Sequence, residues 1–249
     1  MEPATDVEVV LPNWPAPVNV RAISTTRNGG VSPAPYDSLN LGDHVGDDSR
    51  NVSCNRQRLR RQLGIPLEPL WLQQVHGTRV IRADAPNGLE ADGAHTREPG
   101  VVCAVMTADC LPLLLCDSAG TKVAVLHAGW RGLLAGIVEA GVAALAGDGS
   151  DLMAWLGPAI GPDKFEVGEE VRELFLQKNE RAEEAFRSSP RGRWLADLYL
   201  LARQRLLGCG VRRVSGGAFC TYDDEKRFFS YRRDQHTGRC ATLIWLESA

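Results

Sequence analysis

Val123-Ala-Val-Leu-His127-Ala-Gly129-Trp-Arg131-Gly132-Leu-Leu-Ala-Gly-Ile137-Val reads as a strand that turns through glycine into a helix. The run Lys122–Leu126 is short, apolar and bounded by polar residues, as a buried strand requires. From Gly132 onward, Leu133, Leu134, Ile137, Val138, Gly141, Val142 and Leu145 recur at the spacing of one buried helical face. A strand feeding an amphipathic helix in this way predicts an α/β chain.

Outward from this stretch, strand-like runs fall at Leu70–Val75, Thr78–Ala83, Val101–Met106, Leu111–Cys116, Met153–Leu156 and Ala241–Leu246. Each is rich in bulky or β-branched residues and bounded by Gly, Pro or Asp. Further helices are read from Val167, Val171, Leu174 and Phe175, and from Leu195, Leu198, Tyr199, Ala202 and Leu206. A more polar helix is expected from about Arg50 to Leu63. Several strands follow one another with only a turn between them, so a mixed sheet is expected rather than a regular βαβ repeat. The charged stretch Glu180–Arg193 reads as a surface loop. With no repeat and no linker, residues 1–249 are expected to form a single domain.

Twenty-eight basic residues oppose 31 acidic ones, a formal charge of −3. No nucleic-acid surface is expected from that balance. Arg56-Gln57-Arg58-Leu59-Arg60-Arg61 is the local exception and reads as the solvated face of a helix. Met1–Asp6 is acidic and lacks a basic segment followed by an apolar stretch, so no signal peptide is expected. The apolar runs are too short to span a bilayer. Seven cysteines, with no Cys-x-x-Cys pair, argue against a disulfide framework and for a reducing cytoplasm. With no zipper pattern, a monomer is the default.

The unusual polar residues sit at strand ends, where sheet proteins collect functional groups. His76 ends the run Trp71–Val75, Cys110 lies in the turn between two apolar runs, and His127 closes the quoted strand. Two imidazoles and a thiolate suit zinc and leave a fourth position open. Singly, each residue has a plainer reading: a histidine bonded in a turn, a cysteine filling a core. Gly129-Trp130-Arg131-Gly132 offers backbone N–H groups and a guanidinium to an anion, or else merely permits a tight turn. Thr25-Thr26-Arg27-Asn28-Gly29-Gly30 and Ser38-Leu39-Asn40-Leu41-Gly42 form a second glycine-rich region, with the spacing of neither a P-loop nor a dinucleotide fingerprint.

Taken together, STTRNGGVSPAPYDSLNLGDHVGDD, WLQQVHG, ADG, TADCLPLLLCD, VAVLHAGWRGLLAGIV, WLGPAIGP, FEVGEEV and TYDD…FFSYRRD…TGR resemble the bacterial YfiH and mammalian FAMIN (laccase-domain) family from about Ile23 to Leu246. The resemblance implies a layered α/β/β/α sandwich with mixed β-sheets, similar to the catalytic domain of cytotoxic necrotizing factors. It implies zinc on the histidine of QVHG, the cysteine of TADC and the histidine of HAGWRG, here His76, Cys110 and His127. It further implies phosphorolysis of adenosine, inosine and methylthioadenosine, and deamination of adenosine. Some bacterial members are described instead as peptidoglycan editing factors, which remove a wrong amino acid from a UDP-MurNAc precursor. Gln235-His236 stands where members commonly carry glycine, making His236 an additional candidate.

Phosphorolysis requires phosphate gathered near C1′ of the ribose. Arg27 and Arg131 are the candidates to hold it, because a guanidinium grips phosphate bidentately. Asn40 is a candidate for ribose or base edges. Deamination would use zinc to activate water, with Asp109 either shuttling a proton or capping its turn. In the alternative editing chemistry, Cys110 is a nucleophile activated by His127. Laccase activity is the further alternative: two histidines, a cysteine and Met106 suit a type 1 copper. The only histidines, His44, His76, His95, His127 and His236, cannot also furnish a trinuclear cluster. Copper is therefore expected only by exchange at the zinc position. A binding module around a structural zinc would need a fourth ligand that the sequence lacks.

Overall fold

The computed structural model describes residues 6–145 and 149–247; Met1–Thr5, most of the start weighed above for a leader, lies outside them. Along the described chain run β1 (Val9–Val10), β2 (Val20–Thr25), α1 (Ser49–Gln62), β3 (Val80–Arg82), β4 (Gly93–Thr96), β5 (Cys103–Thr107), β6 (Leu111–Asp117), β7 (Val123–Ala128), α2 (Trp130–Ala135) and α3 (Ile137–Ala144). There follow β8 (Leu152–Leu156), β9 (Glu166–Val167), α4 (Glu169–Lys178), β10 (Phe186–Ser188), β11 (Trp194–Ala196), α5 (Leu198–Gly208), β12 (Arg213–Gly216), α6 (Tyr231–Asp234) and β13 (Cys240–Leu246). No helix among them is long and apolar enough to cross a membrane.

Two sheets lie face to face. The six-stranded sheet has the order β12-β8-β6-β7-β4-β3 and mixes parallel with antiparallel pairs. The other, β1-β2-β13-β5, is antiparallel throughout. Strand alternation explains the layering. In β6, Leu113 and Leu115 face a core shared with α3 and α5, whereas Leu114 and Cys116 face Val105 and Ile244 of the second sheet. In β13, Leu243 and Trp245 turn the other way, onto Leu59 of α1. Strands apolar on both faces thus make a helix–sheet–sheet–helix stack, the mixed α/β architecture expected. The small sheet β10-β11-β9 is attached beside α4.

Departures from the expected elements have local causes. Leu70–Val75 makes only single bridges, Leu70 to Cys103 and Gln73 to Glu90. At its end the Gln74 side chain takes the place of a backbone partner: its amide donates to Met106 O (2.8 Å) and its carbonyl accepts from Met106 N (2.7 Å). The helix expected from Gly132 begins at Trp130 and is two helices, broken at Gly136 with φ 108°. Glu180–Arg193 is a short 3-10 helix followed by β10, which pairs with β11, rather than a loop. In the Arg-rich helix α1, Arg56 is not solvated: its guanidinium stacks 4.3 Å from the Trp71 ring and donates to Leu41 O.

Candidate metal centre and pocket

β6 and β7 are antiparallel, with Pro112 opposite His127, so the start of β6 and the end of β7 lie side by side. Cys110 enters there from the turn after β5, whose Asp109 has φ 93°, and His76 from its own turn at φ 61°. Such conformations are strained for residues with a Cβ and are held only by surrounding contacts. The ligand atoms of His76, Cys110 and His127 all lie within 4.8 Å of one another. Cys110 Sγ is 3.8 Å from His76 Nε2. Tetrahedral sulfur and nitrogen ligands of zinc would stand about 3.6 Å apart, close to the Cys110–His76 separation, and the donor set is of the kind that zinc takes. Gly129 keeps this space open, since a Cβ there would lie 2.9 Å from Cys110 Sγ and 3.1 Å from the His76 ring.

Asp92 joins two of the three elements. Its fully buried carboxylate accepts from the backbone N–H groups of Val75 (3.2 Å), His76 (2.9 Å) and Gly77 (2.6 Å) and meets His127 Nδ1 at 2.8 Å. A carboxylate cannot donate, so Nδ1 carries the proton and Nε2 is left for a metal. Burial pushes the Asp92 carboxyl up, but the hydrogen bonds from His127 and Gly77 hold it below the usual range. For Cys110, burial alone would raise the thiol, yet His127 beside it, with help from His76, brings it down to about 6. Burial lowers His127 in turn, and the Cys110 thiolate and Asp92 more than reverse this. The centre therefore presents a thiolate near neutral pH, the form a metal needs.

The triad opens into a cavity of about 490 Å³ whose lining includes Gln74, Trp130, Arg131, Phe165, Tyr231 and Arg239. Arg131 stacks 4.5 Å from the Trp130 ring. Because α2 is only six residues long, the guanidinium rather than the helix end is what this segment offers an anion. The larger groove, about 1240 Å³, holds none of the triad.

Three expected site residues are placed otherwise. Arg27 lines the larger groove with His236. Its guanidinium is consumed by Asp37 and by Glu225 O, so it is no anion site of this cavity, and His236 does not join the triad. Asn40 is fully buried and bonded to Gly42, Asp47 and Arg239 N, leaving nothing for a substrate. Asp109 lines the cavity, but Thr221 Oγ (2.6 Å) and Arg232 N (2.7 Å) occupy its two oxygens. The carboxylate thus ties two distant segments to the turn between β5 and β6, rather than capping that turn itself. Asp92, Gln74, Tyr231 and Arg239 are additions; ADG and TGR marked two of them without revealing their reach.

Fold and site together define a layered α/β protein built around a two-histidine, one-cysteine centre. The chain belongs to the family described as multi-copper polyphenol oxidoreductase laccase, whose model matches residues 21–247. It is 56% identical to a purine nucleoside phosphorylase of Pseudomonas aeruginosa, over 95% of this chain and 97% of that one. It is 52% identical to the purine nucleoside phosphorylase YfiH of Escherichia coli, over 96% and 99%. Among solved structures, a Neisseria meningitidis protein superposes with a TM-score of 0.92 at 49% identity, covering 96% of this chain and 99% of its own. YlmD of Geobacillus stearothermophilus gives 0.87 at 32% identity, covering 100% and 98%.

Proposed function

We propose that this protein is a zinc-dependent purine nucleoside phosphorylase acting on adenosine, inosine and methylthioadenosine, and that the same centre deaminates adenosine. The observation that carries the reading is the meeting of His76, Cys110 and His127 in a cavity of nucleoside size that also presents arginine and aromatic side chains. The relatives named purine nucleoside phosphorylase support the reaction. In phosphorolysis a phosphate oxygen bonds to C1′ while the C1′–N9 bond breaks, its electron pair leaving with the purine, which takes up a proton. Arg131 draws in the phosphate; Trp130, Phe165 and Tyr231 offer ring faces to a planar base. His76, Cys110 and His127 hold the zinc, and Asp92 fixes the His127 ring. When bound, the zinc supplies a Lewis acid beside the substrate. All seven cysteines are free, which fits the cytoplasm.

A second reading has its own observation. Without metal, the Cys110 thiolate beside protonated His127 is the arrangement of a cysteine nucleophile, as amide hydrolysis on a peptidoglycan precursor would need. Mass spectrometry of products from adenosine separates the readings. Adenine with ribose 1-phosphate, formed only with phosphate and lost on chelation, is expected; inosine reports deamination. Neither product, together with metal-free amidase activity abolished by alkylating Cys110, would overturn the zinc reading.

A further inference from the structure

The segment Ser38–Gly42, set aside above as a substrate site, holds Arg239 instead. Asn40 Oδ1 accepts from Arg239 N (2.9 Å), and Leu41 N donates to Arg239 O (3.1 Å). The stem of Arg239 runs where Gly42 has no side chain: a Cβ there would lie 2.7 Å from Arg239 Cγ. Its Nη1 donates to Thr237 O and Gly238 O, both at 3.0 Å, which fixes the guanidinium. Among the described residues, nothing accepts from its Nε or Nη2, and the side chain lines the triad cavity with Cys110 and Asp109. Asp109 is already bonded to Thr221 and Arg232.

The missing partner is informative. Arg27, Arg56, Arg172, Arg205 and Arg233 are also half-buried, and each pairs with a carboxylate; Arg203 and Arg232, half-buried too, have no carboxylate and donate to backbone oxygens of other segments. Arg239 has no such partner among the described residues. A covered guanidinium without a paired carboxylate is costly, because it has lost water and gained no hydrogen-bonded anion. Burial accordingly pulls its pKa down, partly offset by Cys110 and Asp109. A rigid mount, unclaimed donors and the lack of a paired carboxylate are together what a site needs if its ligand brings the negative charge.

We propose that Arg239 is the oxyanion-recognition residue of this cavity, taking inorganic phosphate through its Nε–Nη2 edge together with the charge of Arg131. Phosphate as the occupant rests on the phosphorolysis reading; the oxyanion site itself does not. A guanidinium edge with two parallel donors suits a tetrahedral oxyanion, and a lysine cannot reproduce it.

The test is calorimetric titration of inorganic phosphate into the zinc-loaded protein, paired with steady-state phosphorolysis. Arg239→Gln is expected to weaken phosphate binding about 10- to 100-fold, the worth of charge-assisted hydrogen bonds. The KM for phosphate should rise in parallel, while the KM for nucleoside stays within about twofold. Arg239→Lys should recover only part of the loss. Gly42→Ala should weaken phosphate too, by displacing the stem without removing charge. Zinc content and Tm are measured on every variant; should Arg239→Gln lose either, Arg239→Lys and Gly42→Ala decide the matter. Unchanged phosphate affinity in folded, zinc-loaded variants overturns the assignment, even if phosphorolysis is real. Phosphate binding that depends on Arg239 without any ribose 1-phosphate leaves the oxyanion site standing and overturns the phosphorolysis. Wild-type protein that neither binds phosphate nor forms ribose 1-phosphate overturns both.

Discussion

Cys110 stands under two opposed influences, burial that favours the thiol and a neighbouring imidazolium that favours the thiolate, and the second wins. In chelator-treated protein, alkylation of Cys110 by iodoacetamide should therefore be half-maximal near pH 6, rather than near the ordinary thiol value of about 8.5. The rate rises with pH because the thiolate is the reacting form. Replacing His127 by Asn should move the midpoint upward, and zinc should suppress the reaction; a midpoint indifferent to His127 would contradict the pairing. Asp92 acts one bond further out. In Asp92→Asn an amide nitrogen must face either His127 Nδ1–H or the backbone N–H groups that the carboxylate now accepts. Zinc affinity should then fall about 10- to 100-fold, read by competition with a chromophoric chelator, and unaltered affinity would remove Asp92 from the centre. Cys110 and His127 were legible because each stands at the end of an apolar strand, whereas His76 follows a segment that makes only single bridges and was joined to them by the family resemblance as well. Asp92 was not, since it meets His127 across 35 positions. Arg27 was misplaced for the same reason: its acceptors, Asp37 and Glu225, are contacts that no local pattern encodes.

At the scale of elements, β6 and β7 stay in register through their connecting turn. Asp117, nearly buried, accepts from Thr121 N (2.7 Å), Lys122 N (3.2 Å) and Thr121 Oγ1 (2.5 Å). Burial opposes its ionisation, but these bonds hold the carboxyl below its usual value. Its stabilising effect is complete above the unfolded carboxyl pKa of about 4 and is lost as pH falls through the lower folded-state value. Asp117→Asn should cost about 1–3 kcal/mol at pH 7. Urea unfolding should show the gap to wild type narrowing in acid below about pH 4; a constant gap would mean that the charge is immaterial. The same hairpin shows which elements a sequence displays. Buried on both faces, β6 and β7 read as continuous apolar runs. β1 and β9 have two residues each, and β10 and β11 three, too few for an alternation to register. β2 was hidden differently: its Ser24 and Thr25 look polar but are buried, bonded to Thr242 Oγ1 and Ala241 N of β13.

For the whole molecule, the layered stack brings three separate segments to one place, and the metal count follows from it. The family description speaks of several coppers, which require a trinuclear cluster besides a type 1 site. Among the described residues, His76, Cys110 and His127 form the group placed to hold a metal ion. His95 lies within β4, His236 lines the other groove, and His44 pairs with Asp43 in the triad cavity. Elemental analysis of purified protein should accordingly give about one metal per chain. Because its ligands meet only in the folded chain, the metal binds the native state and stabilises it, by about 4 kcal/mol at a free concentration 1,000 times its Kd. Chelation should lower Tm, and zinc should restore it in wild type but not in Cys110→Ala. A stoichiometry near four coppers, or a Tm indifferent to chelation, would mean that the metal sits somewhere other than where these three residues meet.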